Sequence, residues 1–205
     1  MRQRGLSSVA VASRTSARWA RSWVAALAVA ISWVPGPAAR ATILLEQSIE
    51  EMTAESALVV RARVARVEPR MGGPNGRPGI YTYVTLDVIE HLRGTSGARV
   101  EVVVHGGRVG REASLVSGQA RFTAGEEVVV FLFRGGGALW PTAMALGKWA
   151  VQRDASGEWV TRSFAGVGLA RPAADGTVRP VAPSETRAPS RMSLDELRDR
   201  VRSVP

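Results

Sequence analysis

Two histidines are the most informative of the few side chains in this sequence that could do acid–base chemistry. The 205 residues include His91 and His105 but no cysteine, which excludes disulfides, cysteine-ligated metals and thiol nucleophiles. Both histidines belong to segments whose alternating apolar residues predict strands. If a hairpin pairs Leu92 with Val100, Asp87 lies opposite His105. A carboxylate in that position could orient the imidazole as a general base.

This pair has no partner that would complete a catalytic set. No Gly-x-Ser-x-Gly segment follows residue 41, and Tyr83 is the nearest hydroxyl. In the same register His91 lies opposite Glu101 and roughly 13 Å from His105, at ~3.3 Å per residue. That distance prevents the two rings from sharing a metal ion, whose bonds are about 2 Å long. Opposite charges across a sheet are a common structural device, so we favour that role. A hydrolase using Asp87 and His105 is the alternative.

The remaining polar motifs indicate structure rather than chemistry. The segment 106–110 (GGRVG) lacks the spacing and the following helix of a dinucleotide fingerprint, so we interpret it as a turn. Glu50 and Glu51 are adjacent, as are Glu126 and Glu127, so the side chains of each pair diverge. We therefore predict no catalytic residue, no cofactor and no metal site.

The basic charge is concentrated at the amino terminus. Residues 1–41 contain six arginines and no acid, although the whole chain has a net charge of +9. The rest of the chain has 21 basic and 18 acidic residues, a net charge of only +3, and all its basic residues except Lys148 are arginine. Arg61, Arg63 and Arg99 are interpreted as a solvated strand face. Without a clustered basic surface, we do not expect a nucleic-acid partner.

The first 41 residues have the three parts of an export signal. An apolar run from Trp23 to Val34 follows the basic start, and Ala39-Arg40-Ala41 follows Pro35–Pro37. Twelve apolar residues are fewer than the ~20 needed to span a bilayer. We predict cleavage after Ala41 and an exported protein, periplasmic or secreted, without a stable membrane span. An uncleaved signal anchor is the alternative.

The chain after residue 41 is predicted to be mainly β, with a short helix at each end. Residues 46–56 have Ile49 and Met52 on one helical face. Period-two patterns predict strands, with a bulge near Ala65–Arg66, a central strand at 128–133 and a turn-rich loop at 71–79. The other predicted strands are 58–64, 80–92, 100–104, a weaker one near 113–116, 143–153 and 158–163.

The end of the chain is predicted to be a linker followed by a helix. Residues 171–191 contain four prolines among small and polar residues, which is typical of a linker. Ser193 and Glu196 have the spacing of a capping box, and the helix in 192–205 has an apolar stripe of Leu194, Leu197, Val201 and Val204. We expect this stripe to dock on the preceding domain, with a partner-binding helix as the alternative.

Several segments resemble the netrin-like OB-fold domains, the group that includes the tissue inhibitors of metalloproteinases. The similarity covers roughly residues 46–134 and is carried by the Leu92-Arg93-Gly94 turn and by Phe122, Gly125 and Glu126 before an apolar strand. Exported bacterial proteins of the same layout are similar too. The resemblance implies an OB-like barrel of five to seven strands over 42–170 and suggests protease regulation. However, those inhibitors chelate the protease metal through an amino-terminal cysteine, and here Thr42 follows the cleavage site.

The aromatic residues suggest where a partner binds. Trp149 alternates in phase with Val151 and is predicted to be in the core, whereas Trp140 follows three glycines and is predicted to be exposed. Tyr81 and Tyr83 are on the polar strand face beside loop 71–79, and such side chains are typical interface anchors. The predicted partner-binding residues are Asn75, Arg77, Tyr81, Tyr83 and Trp140. Local packing of the tyrosines under the loop is the alternative. The sequence therefore predicts an exported, non-enzymatic module that binds a protein or a cell-envelope component.

Overall fold

The computed structural model describes residues 42–164, 166–182, 184–186 and 189–205. The predicted export signal and its cleavage site after Ala41 lie outside these residues. In chain order the described elements are β1 (Thr42–Leu45), α1 (Ile49–Glu55), β2 (Leu58–Met71), β3 (Ile80–Arg93), β4 (Arg99–His105), β5 (Gly107–Val109), β6 (Glu112–Ser114), β7 (Glu127–Gly135), β8 (Ala138–Pro141), β9 (Lys148–Asp154), β10 (Gly157–Thr161), β11 (Val167–Pro172), β12 (Val178–Val181), β13 (Arg191–Ser193) and α2 (Leu194–Arg202). The predicted mainly β fold with a helix at each end is confirmed.

Five strands are hydrogen-bonded in a closed ring. β2 pairs antiparallel with β3, and β3 pairs antiparallel with β4. β4 pairs in parallel with β8, β8 pairs antiparallel with β7, and β7 pairs antiparallel with β2. The first half of β7 also pairs with β9, from which β10 and β13 extend the sheet. The register of β2 on β3 shifts between Val64 and Arg66, which confirms the predicted bulge.

β7 is central because its alternating side chains supply two cores. Val128, Val130 and Leu132 pack in one apolar cluster with side chains of β2, β3 and β4. Val129 and Phe131 pack in the other, which contains Trp149 of β9 and the apolar faces of both helices. The central position predicted for 128–133 is confirmed, as is the burial of Trp149. A strand segment with two buried faces is a continuous apolar run, as residues 128–132 of β7 are.

Both helices are capped and dock on the second core. The Ser48 hydroxyl accepts from the Glu51 amide, and the Glu51 carboxylate accepts from the Ser48 amide, which completes a capping box for α1. The Ser193 hydroxyl caps α2 by accepting from the amide of Glu196 at 3.1 Å. The α2 residues Leu194, Leu197 and Val201 are buried in the same cluster as Ile49 and Met52 of α1. The expected docking of α2 is therefore observed.

The segment predicted as a linker contains additional strands. Within 171–191, β12 pairs antiparallel with β11, which in turn pairs in parallel with β1, and β13 begins at Arg191. Pro180 lies in β12, which pairs on one side only; an edge position tolerates the missing amide proton. The linker prediction is therefore corrected for these stretches, and the sheet continues past the predicted domain end at residue 170.

Two shorter segments also differ from the sequence prediction. Residues 106–110, interpreted as a turn, include β5, which pairs with β6 in a two-stranded hairpin. The strand predicted over 143–153 begins only at Lys148, since a 3-10 turn occupies Met144–Gly147. In the part of the chain that is described, no helix has the length and apolar character required to cross a bilayer.

Candidate functional site

The loop between β2 and β3 is held in one conformation by its own backbone. The amide of Gly72 donates to the carbonyl of Gly79 at 2.8 Å, and the amide of Gly73 donates to the carbonyl of Arg77 at 2.7 Å. Asn75 has a φ of 58°, a left-handed conformation that asparagine tolerates better than most residues. The glycines and prolines of 71–79 therefore build a defined turn.

Side chains also attach this loop to the turn between β7 and β8. The amide group of Asn75 donates to the carbonyl oxygen of Gly136 at 2.9 Å. A Cβ atom placed on Gly136 would lie 3.8 Å from Nη2 of Arg77, so the Arg77 guanidinium lies beside the same turn. The hydroxyl of Tyr83 donates to the carbonyl of Gly72 at 3.3 Å. The two turns therefore form one continuous surface.

An aromatic cluster supports this surface from below. The ring of His105 stacks on Trp140 with centroids 4.9 Å apart, and it lies 5.0 Å from the ring of Tyr81. The rings of Tyr81 and Trp140 meet edge to face at 6.2 Å. The indole of Trp140 donates to the carbonyl of Gly135 at 2.8 Å. Each ring therefore fixes the position of the others.

The predicted exposure of Trp140 is wrong, because Trp140 is only 7% exposed, and Tyr81 is equally buried. The loop covers Tyr81: a Cβ atom on Gly73 would lie 2.5 Å from Cε2 of the tyrosine ring. Local packing under the loop, the other interpretation of the tyrosines, is therefore correct for Tyr81. Trp140 and Tyr81 thus support the surface from inside, whereas Asn75 and Arg77 are exposed and Tyr83 is half-buried.

Phe133 is 40% exposed at this surface, although the apolar pattern places it in the central strand predicted at 128–133. Phe133 pairs with Trp140 across β7 and β8, so the two rings are on one face of the sheet. It lies one residue beyond Leu132, the last β7 residue that pairs with β2, so β2 does not cover it. The sequence signal for this exposure is Arg134-Gly135-Gly136, which follows Phe133 and marks the end of the central strand.

The imidazole of His105 is held in its neutral form. Burial lowers its pKa, and the positive charge of Arg77 lowers the pKa further. Both causes penalise the protonated ring, so it carries no charge at pH 7. The neutral ring stacks on Trp140 without placing a charge at this half-buried position.

The structure separates the two residues of the predicted dyad. In the observed register Asp87 pairs with Arg99, and His105 pairs with Tyr81. The six residues between these positions correspond to about 20 Å at ~3.3 Å per residue. The carboxylate of Asp87 instead accepts from Nε of Arg99 at 2.7 Å.

The expected pairing of Leu92 with Val100 is wrong, since Leu86 occupies that place. The hairpin closes between Val88 and Ala98, and the rest of β3 continues beside β2. The slip from Leu92 to Leu86 is six residues, an even number. It leaves every side chain on its predicted face, so the apolar pattern cannot distinguish the two registers.

The prediction of a solvated basic strand face is also wrong at one position. Arg61 is 8% exposed, and its Nε donates to Glu127 at 2.6 Å while Nη2 donates to Glu158 at 2.7 Å. Arg153 also contacts the carboxylate of Glu127, at 2.9 Å. These four residues form the ion cluster. Arg63 and Arg99 are exposed, as expected.

Among the described residues, no group of three or more histidine, aspartate or glutamate side chains is placed to hold a metal ion. Comparisons of the chain with protein-family models, with curated proteins and with solved structures find no match.

Proposed function

We propose that this chain is an exported, non-enzymatic binding module whose loop face contacts a protein or a cell-envelope component. The loop face consists of residues 71–79 and 133–137. The observation that carries the proposal is the convergence of Asn75, Arg77 and Phe133 beside one buried aromatic cluster. These side chains come from two connections that are far apart in the sequence but joined by the Asn75–Gly136 hydrogen bond.

The order of the loop face favours binding. A surface that is already fixed loses little conformational freedom when a partner docks, which leaves more of the contact energy for affinity. Aromatic and arginine side chains are the types that dominate interface energetics, and Phe133 and Arg77 supply one of each. Loops held on a rigid sheet are also where binding residues concentrate.

One structural feature and one sequence feature support the remaining parts of the proposal. The closed ring of five strands is compatible with the OB-like barrel that the netrin-like resemblance implies, and such barrels bind ligands through their loops. The leader with its cleavage site after Ala41 supports export. A protease-regulating role rests on the resemblance alone, and the absence of cysteine at Thr42 argues against metal chelation by the amino terminus.

The hydrolase alternative is not favoured by any observation. Its dyad requires Asp87 near His105, but Asp87 is paired with Arg99. His105 packs between Tyr81 and Trp140.

A capture experiment with matched variants tests the proposal. The full chain is used to recover partners from the envelope fraction of its native cells. The double variant Arg77→Ser/Phe133→Ser changes the loop face. The control Ile89→Ser/Arg99→Ser removes an exposed apolar side chain and an exposed arginine elsewhere. A partner held by wild type and control but lost by the loop-face variant supports the proposal. Equal recovery by all three chains, or none by wild type, contradicts it.

A further inference from the structure

The net positive charge of the chain after residue 41 is concentrated in three connections. These are the loop 71–79, the segment 106–116 that contains β5 and β6, and the turn 133–137. Together they contain one acid, Glu112, and four arginines: Arg77, Arg108, Arg111 and Arg134. Of the 21 basic and 18 acidic residues after position 41, these are four and one, so the remainder is balanced. The net charge of +3 therefore lies in these three connections.

The four arginines are exposed, and their charges are not neutralised within the described chain. None of them forms an ion pair with a described residue, whereas Arg99 and Arg191, which are exposed elsewhere, pair with aspartates at 2.7 and 3.3 Å. A cluster of charges of one sign on a surface creates a field that attracts a partner of the opposite sign. The partner of these connections is therefore expected to be anionic.

Backbone contacts join the three connections into one surface. The loop face already contains two of them. The amide of Gly106 donates to the carbonyl of Ile80, the residue that follows the loop, at 2.9 Å. A Cβ atom placed on Gly107 would lie 2.9 Å from Cβ of Pro69 and 3.4 Å from Cγ2 of Ile80, so β5 lies against the base of the loop. We call residues 71–79, 106–116 and 133–137 the basic surface.

The arginine of β5 faces away from the sheet. Because Gly107 faces the sheet and side chains alternate along a strand, Arg108 is on the opposite side. Arg108 pairs with Ala113 of β6, so both residues are on this outer side, and both are exposed. Leu115 follows Ala113 by two residues and is 79% exposed. The outer side of this segment therefore presents a cation and a large apolar side chain together.

The basic surface is also rich in exposed apolar side chains. Four of the eight large apolar residues that are exposed among the described residues belong to it: Met71, Leu115, Val116 and Phe133. Two contributions bind a protein to the surface of an anionic membrane, namely burial of apolar area at the boundary of the acyl chains and attraction to the headgroups. The basic surface offers both.

We propose that the basic surface docks on an anionic lipid bilayer, an inference that rests on the proposed function and names the envelope component. Leu115 and its apolar neighbours enter the boundary between headgroups and acyl chains, while the arginines lie at the level of the lipid phosphates. An acidic protein fits the exposed side chains less well, because leucine and valine are under-represented among the residues that dominate protein interfaces.

A fluorophore at a single position tests the proposal on the full chain. Because the sequence has no cysteine, Leu115→Cys allows the environment-sensitive dye NBD to be attached in the basic surface alone. The control Ile89→Cys is exposed on β3, nine residues beyond Ile80 and so roughly 30 Å from it at ~3.3 Å per residue. Both chains contain the same residues 1–41, so that segment contributes equally to both measurements.

The dye should respond to lipid at one position only. With vesicles of equal parts phosphatidylglycerol and phosphatidylcholine, its fluorescence is expected to rise at position 115 and not at position 89. Vesicles of phosphatidylcholine alone should give little change at either position. No rise at position 115, or an equal rise at both positions, overturns the proposal. If the capture experiment then recovers a protein through the loop face, the partner is a protein and the proposed function stands without the bilayer.

A charge variant assigns the attraction to the arginines. Arg108→Gln/Arg111→Gln is expected to weaken binding to the anionic vesicles roughly thirtyfold, the effect of two arginines lost from a membrane surface. The control Arg99→Gln/Arg191→Gln removes the same charge from exposed positions outside the basic surface and should weaken binding by less than about threefold. Equal weakening by the two double variants overturns the proposal.

Discussion

Arg61 and Arg162 are buried almost equally, at 8% and 6% exposure, but their surroundings are opposite. Arg61 has two carboxylates within hydrogen-bond distance, those of Glu127 and Glu158. Arg162 has two backbone carbonyls and two aromatic rings. Burial alone therefore does not tell whether a charged side chain is structural.

The position of each arginine in the sheet explains the difference. The ion cluster forms across neighbouring strands, because Glu127 of β7 pairs with Arg63 of β2 and Glu158 of β10 pairs with Arg153 of β9. The sheet register thus supplies acids to Arg61 of β2. Arg162 comes one residue after β10 ends and after its last pairing with β9, at Thr161. The ladder therefore places no acid opposite it.

Replacing Arg61 should have the largest effect on stability. Arg61→Met leaves the carboxylate of Glu127, whose side chain is 5% exposed, without its closest cation. We expect the free energy of unfolding to fall by about 3 kcal/mol, the lower range for breaking a buried ion pair, because Arg153 still contacts Glu127. Urea unfolding measures it. Arg63→Met, at an exposed partner of Glu127, is the control and should change stability by less than about 1 kcal/mol. Equal losses in the two variants would show that the ion cluster is not the stabilising feature.

Replacing Arg162 should be less harmful although it is no more exposed. Arg162→Met removes two hydrogen bonds to carbonyls but also removes a buried charge that has no direct ion pair with a described residue, and these effects oppose each other. We expect a net loss of about 1 kcal/mol, since an unsatisfied buried carbonyl costs roughly that much. The same urea unfolding experiment measures it. A loss as large as that of Arg61→Met would mean that Arg162 is a structural residue.

The next largest effect is expected in the loss of stability at acid pH, which depends on the ion cluster. Burial raises the pKa of Glu127, but hydrogen bonds from Arg61 and Arg153 outweigh it and hold the pKa below the ordinary value of 4.5. As pH falls below 4.5 the unfolded chain takes up the proton first, so the stability contributed by Glu127 is present above that pH and is lost as pH falls through the folded pKa. Glu127→Gln should therefore give a shallower fall of unfolding free energy below pH 4.5. Glu126→Gln is the neighbouring control, and an equal change in slope would contradict the assignment.

Much of the fold could be predicted because local patterns and the final structure agree. The alternation of 58–64 and 80–92, the bulge before Arg66 and the cap at Ser193 are local signals, and the structure has each of them. The apolar stripe predicted for the last helix is also the face through which that helix docks. The register of the β3–β4 hairpin could not be predicted, because a slip of six residues keeps the same faces.

The candidate functional site could be predicted only in part from the sequence, for a related reason. Asn75, Arg77 and Tyr83 are predicted to be partner-binding residues because the first two lie in a loop rich in glycine and proline and the third is close to it. Arg61 reads as a solvent-facing residue between apolar neighbours, and only the carboxylates from β7 and β10 show that it is buried. Arg162, between Thr161 and Ser163, follows no pattern at all. Contacts between distant segments decide these positions, and one sequence does not display them.

His105 provides the smallest test, because this half-buried basic group avoids an unpaired charge by staying neutral. Burial lowers its pKa below 6.5 and the charge of Arg77 lowers the pKa further. Arg77→Gln should therefore raise the pKa of His105 but leave it below the ordinary value, because burial remains. The unfolded chain protonates first as pH falls below 6.5, so stability declines below that pH, and the decline should be shallower in the variant. An NMR titration of the His105 ring measures the pKa. Arg121→Gln, which removes an exposed arginine away from the aromatic cluster, is the control. An unchanged pKa in Arg77→Gln, or an equal rise in both variants, would show that Arg77 does not act on the aromatic cluster.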